Sequence, residues 1–317
     1  MFFYPRSKDR PFHLGPFPLE ILPCDGAVLA REAARPRIVS PVQLMADADL
    51  SKAADKYRQI FSGLIEGPVA PAQAPVGDDL ERRMMDIKGA GYFMDSSHVG
   101  ICRIPDNAWY ESAEILNHPY AVVVLLENVR LPESDNAAYE WTAESRQAIM
   151  NLRCAEIAIC LAGHIRNMGF DARAHVVGNG GLDAERLAVL AGLAVREDDR
   201  IVNPFFGEDF TLSVVSTAYQ LPVDQPLHHD ALKRFGLNYW WGINGAQSGR
   251  ERNRRRRRKT HLSRYPMETV KRIERPTTLI LDDEVPRVPK RAAFFQRALH
   301  GDLGEKSKRE RSRFAFK

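Results

Sequence analysis

The chain has 317 residues, 44% of them hydrophobic, which is enough apolar content to bury a core and too much for disorder throughout. Its formal charge of +4 hides an asymmetry: residues 250–317 hold 22 Lys plus Arg against 9 Asp plus Glu, and residues 1–249 hold 23 against 32. The opening Met-Phe-Phe-Tyr-Pro-Arg has no signal-peptide core and no twin-arginine pair, and no run reaches the ~20 uncharged apolar residues of a membrane span; a cytoplasmic protein without a span is expected.

Pro5, Pro11, Pro16, Pro18 and Pro23 predict an extended arm, because each fixes φ and removes a donor. Helical spacing begins near Leu50, with Ala54, Tyr57, Phe61 and Leu64 as its apolar stripe, and stops at Gly67-Pro68. After a Pro/Ala linker, Asp78 or Asp79 caps a second helix that Gly89 and Gly91 end. Val99–Ile104 and Tyr120–Val129 read as strands, the second apolar enough to be covered on both faces. A long helix follows from Thr142, its expected N-cap, to Met168, with Gly169 as its stop. Phe170–Val177 alternates like a half-exposed strand with His175 on the open side, Gly178-Asn179-Gly180-Gly181 turns the chain, Asp183 caps a helix through Leu193, and Thr211–Tyr219 is another strand. This interleaving implies an α/β or α+β sandwich built on one sheet flanked by helices. Arg254–Lys259 is an unbroken run of six cations that repel one another and cannot enter a core, and Ala292–Leu299 is a short apolar helix candidate.

Cys24, Cys102, Cys154 and Cys160 form no Cys-x-x-Cys pair, and the last two fall on different faces of one helix. Cluster or zinc sites need closely spaced thiolates on turns, so neither an iron–sulfur cluster nor another metal is expected.

Residues 157–222 carry a resemblance. The helix with Leu161, His164 and Gly169 leads to Ala172-x-Ala174-His175, then to Leu187–Leu193, the loop Asn203-Pro204-Phe205-Phe206-Gly207, and Leu212 through Leu221-Pro222. Upstream, Gly100–Pro105 and His118–Val124 fit the same order of blocks. Over about residues 80–227 the chain resembles the cobalamin-binding, nitroreductase-like module of reductive dehalogenases and epoxyqueuosine reductases. The flanks His13–Glu20 and Val285–Phe295 resemble those of the first, cofactor-degenerate copy in the catabolic, oxygen-tolerant branch. The resemblance implies an α+β nitroreductase-like sandwich with one mixed sheet. It also implies three divisions: a Pro-rich arm over 1–49, the module over 50–235, and a basic linker and tail over 236–317, which in the family leads into a second copy. Two departures weigh against a working cofactor site. Ala194–Arg200 replaces a glycine-bearing turn with acids, and residues 223–317, where the family has two ferredoxin-like clusters, contain no cysteine.

The candidate cofactor contacts are therefore Asn203, Phe205, Phe206 and Gly207, where the family loop lines the corrinoid, and Asn179 and Gly180, whose turn could offer N–H groups to a phosphate. Against these stand a hydrophobic loop filling the space a cofactor once held, and a plain strand-to-helix turn. His164, His175, His228 and His229 lack a third ligand at recognisable spacing. Tyr219 ends a predicted strand, the sequence gives no alignment of the family's proton-donating tyrosine to it, and no catalytic residue is assigned.

Three functions remain open. The first is a non-catalytic or partner-dependent half of a corrinoid-dependent reductive dehalogenase, with a catalytic half or an iron–sulfur electron donor as partner. The second is a cobalamin- or flavin-binding reductase fed by a separate protein. The third, disfavoured, is a nucleic-acid accessory acting through Arg254–Lys259, where cations would hold phosphate.

Overall fold

The computed structural model describes residues 10–41 and 47–234; the basic run, the Val285–Phe295 flank and the Ala292–Leu299 helix lie outside them. Between Phe12 and Ala33 the chain does not stay extended. Two 3-10 turns, Phe12–Leu14 and Leu19–Ile21, precede helix α1, Ala27–Ala33. Arg10 holds the proline turns together, pairing with Glu20 at 2.6 Å and donating to the Gly15 carbonyl at 2.7 Å.

Helix α2 spans Asp49–Ser62 and buries Ser51, Ala54, Asp55 and Arg58. The expected apolar stripe is half borne out: Ala54 is buried and Phe61 packs on the core, whereas Tyr57 and Leu64 are exposed, because Arg58, which pairs with Asp55 at 3.1 Å and donates to the Val177 carbonyl, turns inward between them. Helix α3 runs Leu80–Phe93, capped by the Asp79 carboxylate, and passes through both glycines expected to end it. Gly91 serves packing instead, since a Cβ there would stand 2.7 Å from Val99.

Strands β1, His98–Arg103, and β2, Tyr120–Glu127, pair antiparallel. Helix α4, Tyr139–Asn167, starts one turn earlier than expected; Thr142 is not its cap but donates back to the Ala138 carbonyl at 2.5 Å. By length and composition α4 could cross a membrane, yet 56% of its apolar window is buried in the fold. Strand β3, Ala172–His175, is followed by α5, Ala184–Leu190, which Asp183 caps as expected. A hairpin of β4, Val195–Glu197, and β5, Arg200–Val202, precedes β6, Phe210–Thr217, and α6 covers Ala231–Arg234.

The main sheet has the order β1-β2-β6-β3. The α+β class holds, but the sheet expected to be mixed is antiparallel at every described pairing. β2 shows why its sequence is continuously apolar. Tyr120, Val122, Val124 and Leu126 enter the core beneath α4, while Ala121, Val123 and Leu125 enter the core beneath α5. α5 and the turn after it lie so close to β1 that a Cβ at Gly100 would meet the Ala191 carbonyl at 2.7 Å.

Candidate functional site

The aromatic loop after β5 is closed on itself. Asn203 and Gly207 exchange backbone hydrogen bonds at 2.8 and 2.9 Å, and Gly207 takes φ 66° to complete the turn. The Asn203 amide is fully buried: Nδ2 donates to the Leu193 carbonyl at 2.7 Å, and Oδ1 accepts from the N–H groups of Phe205 and Phe206 at 2.8 and 3.1 Å. Phe206 is buried and meets the edge of Phe17 at 4.8 Å between centroids; Phe17 also packs on Phe205 at 5.3 Å and on His98 at 5.4 Å. The Pro-rich segment thus lays a ring against the loop expected to line a macrocycle.

His98 completes this cluster, 5.2 Å from Phe206 and 5.5 Å from Phe205. It is fully buried, neither ring nitrogen has a hydrogen-bond partner, and burial lowers its pKa to about 3.

At the opposite edge of the sheet the Gly178–Gly181 turn is partly engaged by the protein, with Gly178 and Asn179 exposed. Asn179 bridges back to Val176, and the Gly181 N–H donates to His175 Nδ1 at 3.1 Å instead of facing an anion. His175, placed on the open face by alternation, is buried. Its Nε2 lies 2.8 Å from Ser216 Oγ, Ser216 Oγ lies 2.8 Å from His118 Nδ1, and His118 Nε2 lies 3.1 Å from the Asp171 carboxylate. Burial, with the charge of Arg173 and proximity to His118, lowers the His175 pKa to about 3. Neutral His175 accepting at Nδ1 carries its proton on Nε2, so the proton order follows: Nε2–H to Ser216, the Ser216 hydroxyl to His118 Nδ1, His118 Nε2–H to Asp171. Asp, His and Ser in this order resemble a nucleophilic triad, but Ser216 is fully buried mid-sheet with no approach for a substrate. Its hydroxyl ties β6 to β3 and to the His118 loop. Sequence reasoning missed Ser216, His118 and Asp171 as a set; the available signal was the run of hydroxyl residues Ser213, Ser216 and Thr217 in a strand otherwise suited to full burial.

The remaining candidates do not converge on these networks. His164 is exposed on α4. His228 and His229 line a cleft of about 280 Å³ between α1 and β4 together with Asp25, Arg31, Glu32 and Arg196. Its acids already have partners: Glu32 holds Arg196 at 2.7 Å, Asp25 holds Arg31 at 2.9 Å. Among the described residues no three His, Cys, Asp or Glu side chains are grouped to hold a metal. Cys102 and Cys154 are buried, which raises both thiol pKa values, that of Cys154 to about 12; Cys24 and Cys160 are exposed. Where the resemblance implied a glycine turn, Asp198 at φ 53° caps the β4–β5 hairpin, and Arg196 reaches from it to Glu32. Tyr219 is buried against Phe170 at 4.4 Å, with the Arg83 guanidinium 5.4 Å over its ring.

A corrinoid fits these residues poorly. Asn203 and Gly207 use their polar groups within the loop, Phe206 is buried against Phe17, and in the Gly178–Gly181 turn the N–H groups of Asn179 and Gly181 bond to the Val176 carbonyl and to His175.

No protein-family model matches the chain, and no curated protein does. Solved structures do. A catabolic reductive dehalogenase, NpRdhA, is 39% identical with a TM-score of 0.69, covering 97% of this chain and 44% of that one. A reductive dehalogenase structure described as suggesting a mechanism for B12-dependent dehalogenation is 40% identical with a TM-score of 0.70, covering 99% and 44%. NpRdhA in complex with 3-bromo-4-hydroxybenzoic acid is 40% identical with a TM-score of 0.68, covering 96% and 43%. The chain therefore spans less than half the length of the structures it matches.

Proposed function

The chain is a relative of the reductive dehalogenases, and on that premise we propose that it is a non-catalytic, partner-dependent half of a corrinoid-dependent reductive dehalogenase, without iron–sulfur ligands of its own. The observation carrying this reading is the closed aromatic loop. Phe17 and His98 pack against the Phe205 and Phe206 rings of the loop that the resemblance assigned to the corrinoid, and the Asn203 amide is used inside the turn. The cysteine spacing supports it: Cys24, Cys102, Cys154 and Cys160 include no Cys-x-x-Cys pair of the kind that ferredoxin-like clusters use. The corrinoid and the low-potential electrons then belong to a partner, either a catalytic dehalogenase half or an iron–sulfur donor, in the cytoplasm.

Titration of the purified 317-residue chain with hydroxocobalamin, followed by visible spectroscopy and by gel filtration of the mixture, tests the reading. The expected result is no co-elution of corrinoid and no spectral change. Stoichiometric uptake would overturn it and favour a cobalamin-binding reductase.

A further inference from the structure

Helix α2 carries apolar side chains on both faces: Ala54 and Phe61 lie inward, and a second apolar row lies outward. Ser51, Ala54, Asp55 and Arg58 are buried, while Leu50, Ala53, Tyr57 and Ile60 face solvent, followed by Leu64 just past the helix end. Tyr57, Ile60 and Leu64 are 58%, 60% and 55% exposed. The helix cannot roll to hide them. Its inward face is fixed by the buried Asp55–Arg58 pair, by the Arg58 bond to the Val177 carbonyl, and by Ser51 Oγ donating to the Glu144 carbonyl at 3.3 Å, and breaking a buried ion pair is costly.

The exposed positions 50, 53, 57, 60 and 64 advance by three and four residues, the spacing with which one helix receives the knobs of another. The exposed Lys56 flanks that seam. We infer that this face of α2 docks an apolar-striped helix, with an acidic residue opposite Lys56, from the polypeptide carrying the part of the dehalogenase fold that this chain does not cover. The identity of the occupant follows from length: the relatives match nearly all of this chain, yet 44% of their own length accounts for the match, so more than half of their chain is left to cover such a face. The inference rests on the partner-dependent reading above.

The test uses two full-length proteins. Glu is placed at the positions of full-length NpRdhA aligned with Tyr57 and Ile60, and Tyr57→Glu with Ile60→Glu is made in the 317-residue chain. Thermal unfolding of NpRdhA is expected to shift down by at least about 4 °C, because the charges enter a packed seam, while the 317-residue chain shifts by less than about 1 °C. Tyr57→Ser with Ile60→Ser serves as a milder pair, expected to change in the same order. An unchanged NpRdhA, or an equal loss in both proteins, overturns the assignment, the second because the stripe would then belong to this chain's own core. Sedimentation of the 317-residue chain gives the other arm: a dimer that the Glu pair dissociates would make a second copy the occupant and also overturn it. Failure here leaves the hydroxocobalamin result untouched, and uptake of corrinoid would sink the partner-dependent reading even if the stripe proved to be a seam.

Discussion

The two edges of the main sheet each bury a histidine, and they treat it in opposite ways. On β3, His175 has both ring nitrogens engaged, by Gly181 and by Ser216, and through Ser216 it is joined to His118 and Asp171. On β1, His98 sits among Phe17, Phe205 and Phe206 with neither nitrogen engaged. Burial lowers both pKa values to about 3, so titration alone does not distinguish them. A buried imidazole in a complete network acts as a tie between strands, whereas one in an apolar cluster serves as filler and costs its desolvation.

Acid breaks both edges at once. In the unfolded chain each histidine titrates near 6.5 and in the fold near 3, so between those values the unfolded state binds more protons and stability falls as pH falls. Each contributes about 1.4 kcal/mol per pH unit, so urea unfolding at pH 6.5 and 4.5 should differ by roughly 5 kcal/mol; about half that difference would show that one histidine is not buried neutral, and equal midpoints that neither is. Ser216→Ala attacks the complete network alone. Removing the shared hydroxyl leaves two buried ring nitrogens unpaired and should cost about 3 kcal/mol, measured as a lower urea midpoint with unchanged slope. Asn203→Ala opens the aromatic loop by deleting three hydrogen bonds and should cost about 2 kcal/mol; a loss under about 0.5 kcal/mol would mean that the loop is held by its rings alone. The smallest effect has the opposite sign. His98→Leu removes an unpartnered polar group and should stabilise by about 1 kcal/mol at pH 7 while halving the acid dependence. A destabilised variant would indicate a partner for that imidazole.

Elements with a local cause were legible in the sequence. Asp79 and Asp183 cap the helices they precede, Gly169 turns out of α4 at φ 86°, and the apolar run of β2 is buried on both faces. The errors lie where a long-range partner outweighs local spacing. Tyr57 and Leu64 looked like core positions because they are apolar at helical intervals, but Arg58 and Asp55 pair with each other and Val177 accepts a charge-assisted bond from Arg58, so these polar side chains pack inward. His175 looked exposed by alternation, but Ser216, 41 residues away, gives it a partner inside. Gly91 resembled a helix stop and proved to be clearance for Val99. The candidate loop was found by resemblance, and its closure was not visible because Phe17 and His98 reach it from distant segments.

The sequence by itself determined the helix caps, the doubly buried strand, the α+β class and the family, because these depend on neighbouring residues or on the order of blocks along the chain. Tertiary structure alone decided which face of α2 is buried, how the two buried histidines are held, and that the aromatic loop is closed by a ring from the N-terminal segment. The physical reason is that a buried polar group is tolerable only when a partner reaches it, and that partner is set by where the folded chain brings distant residues together.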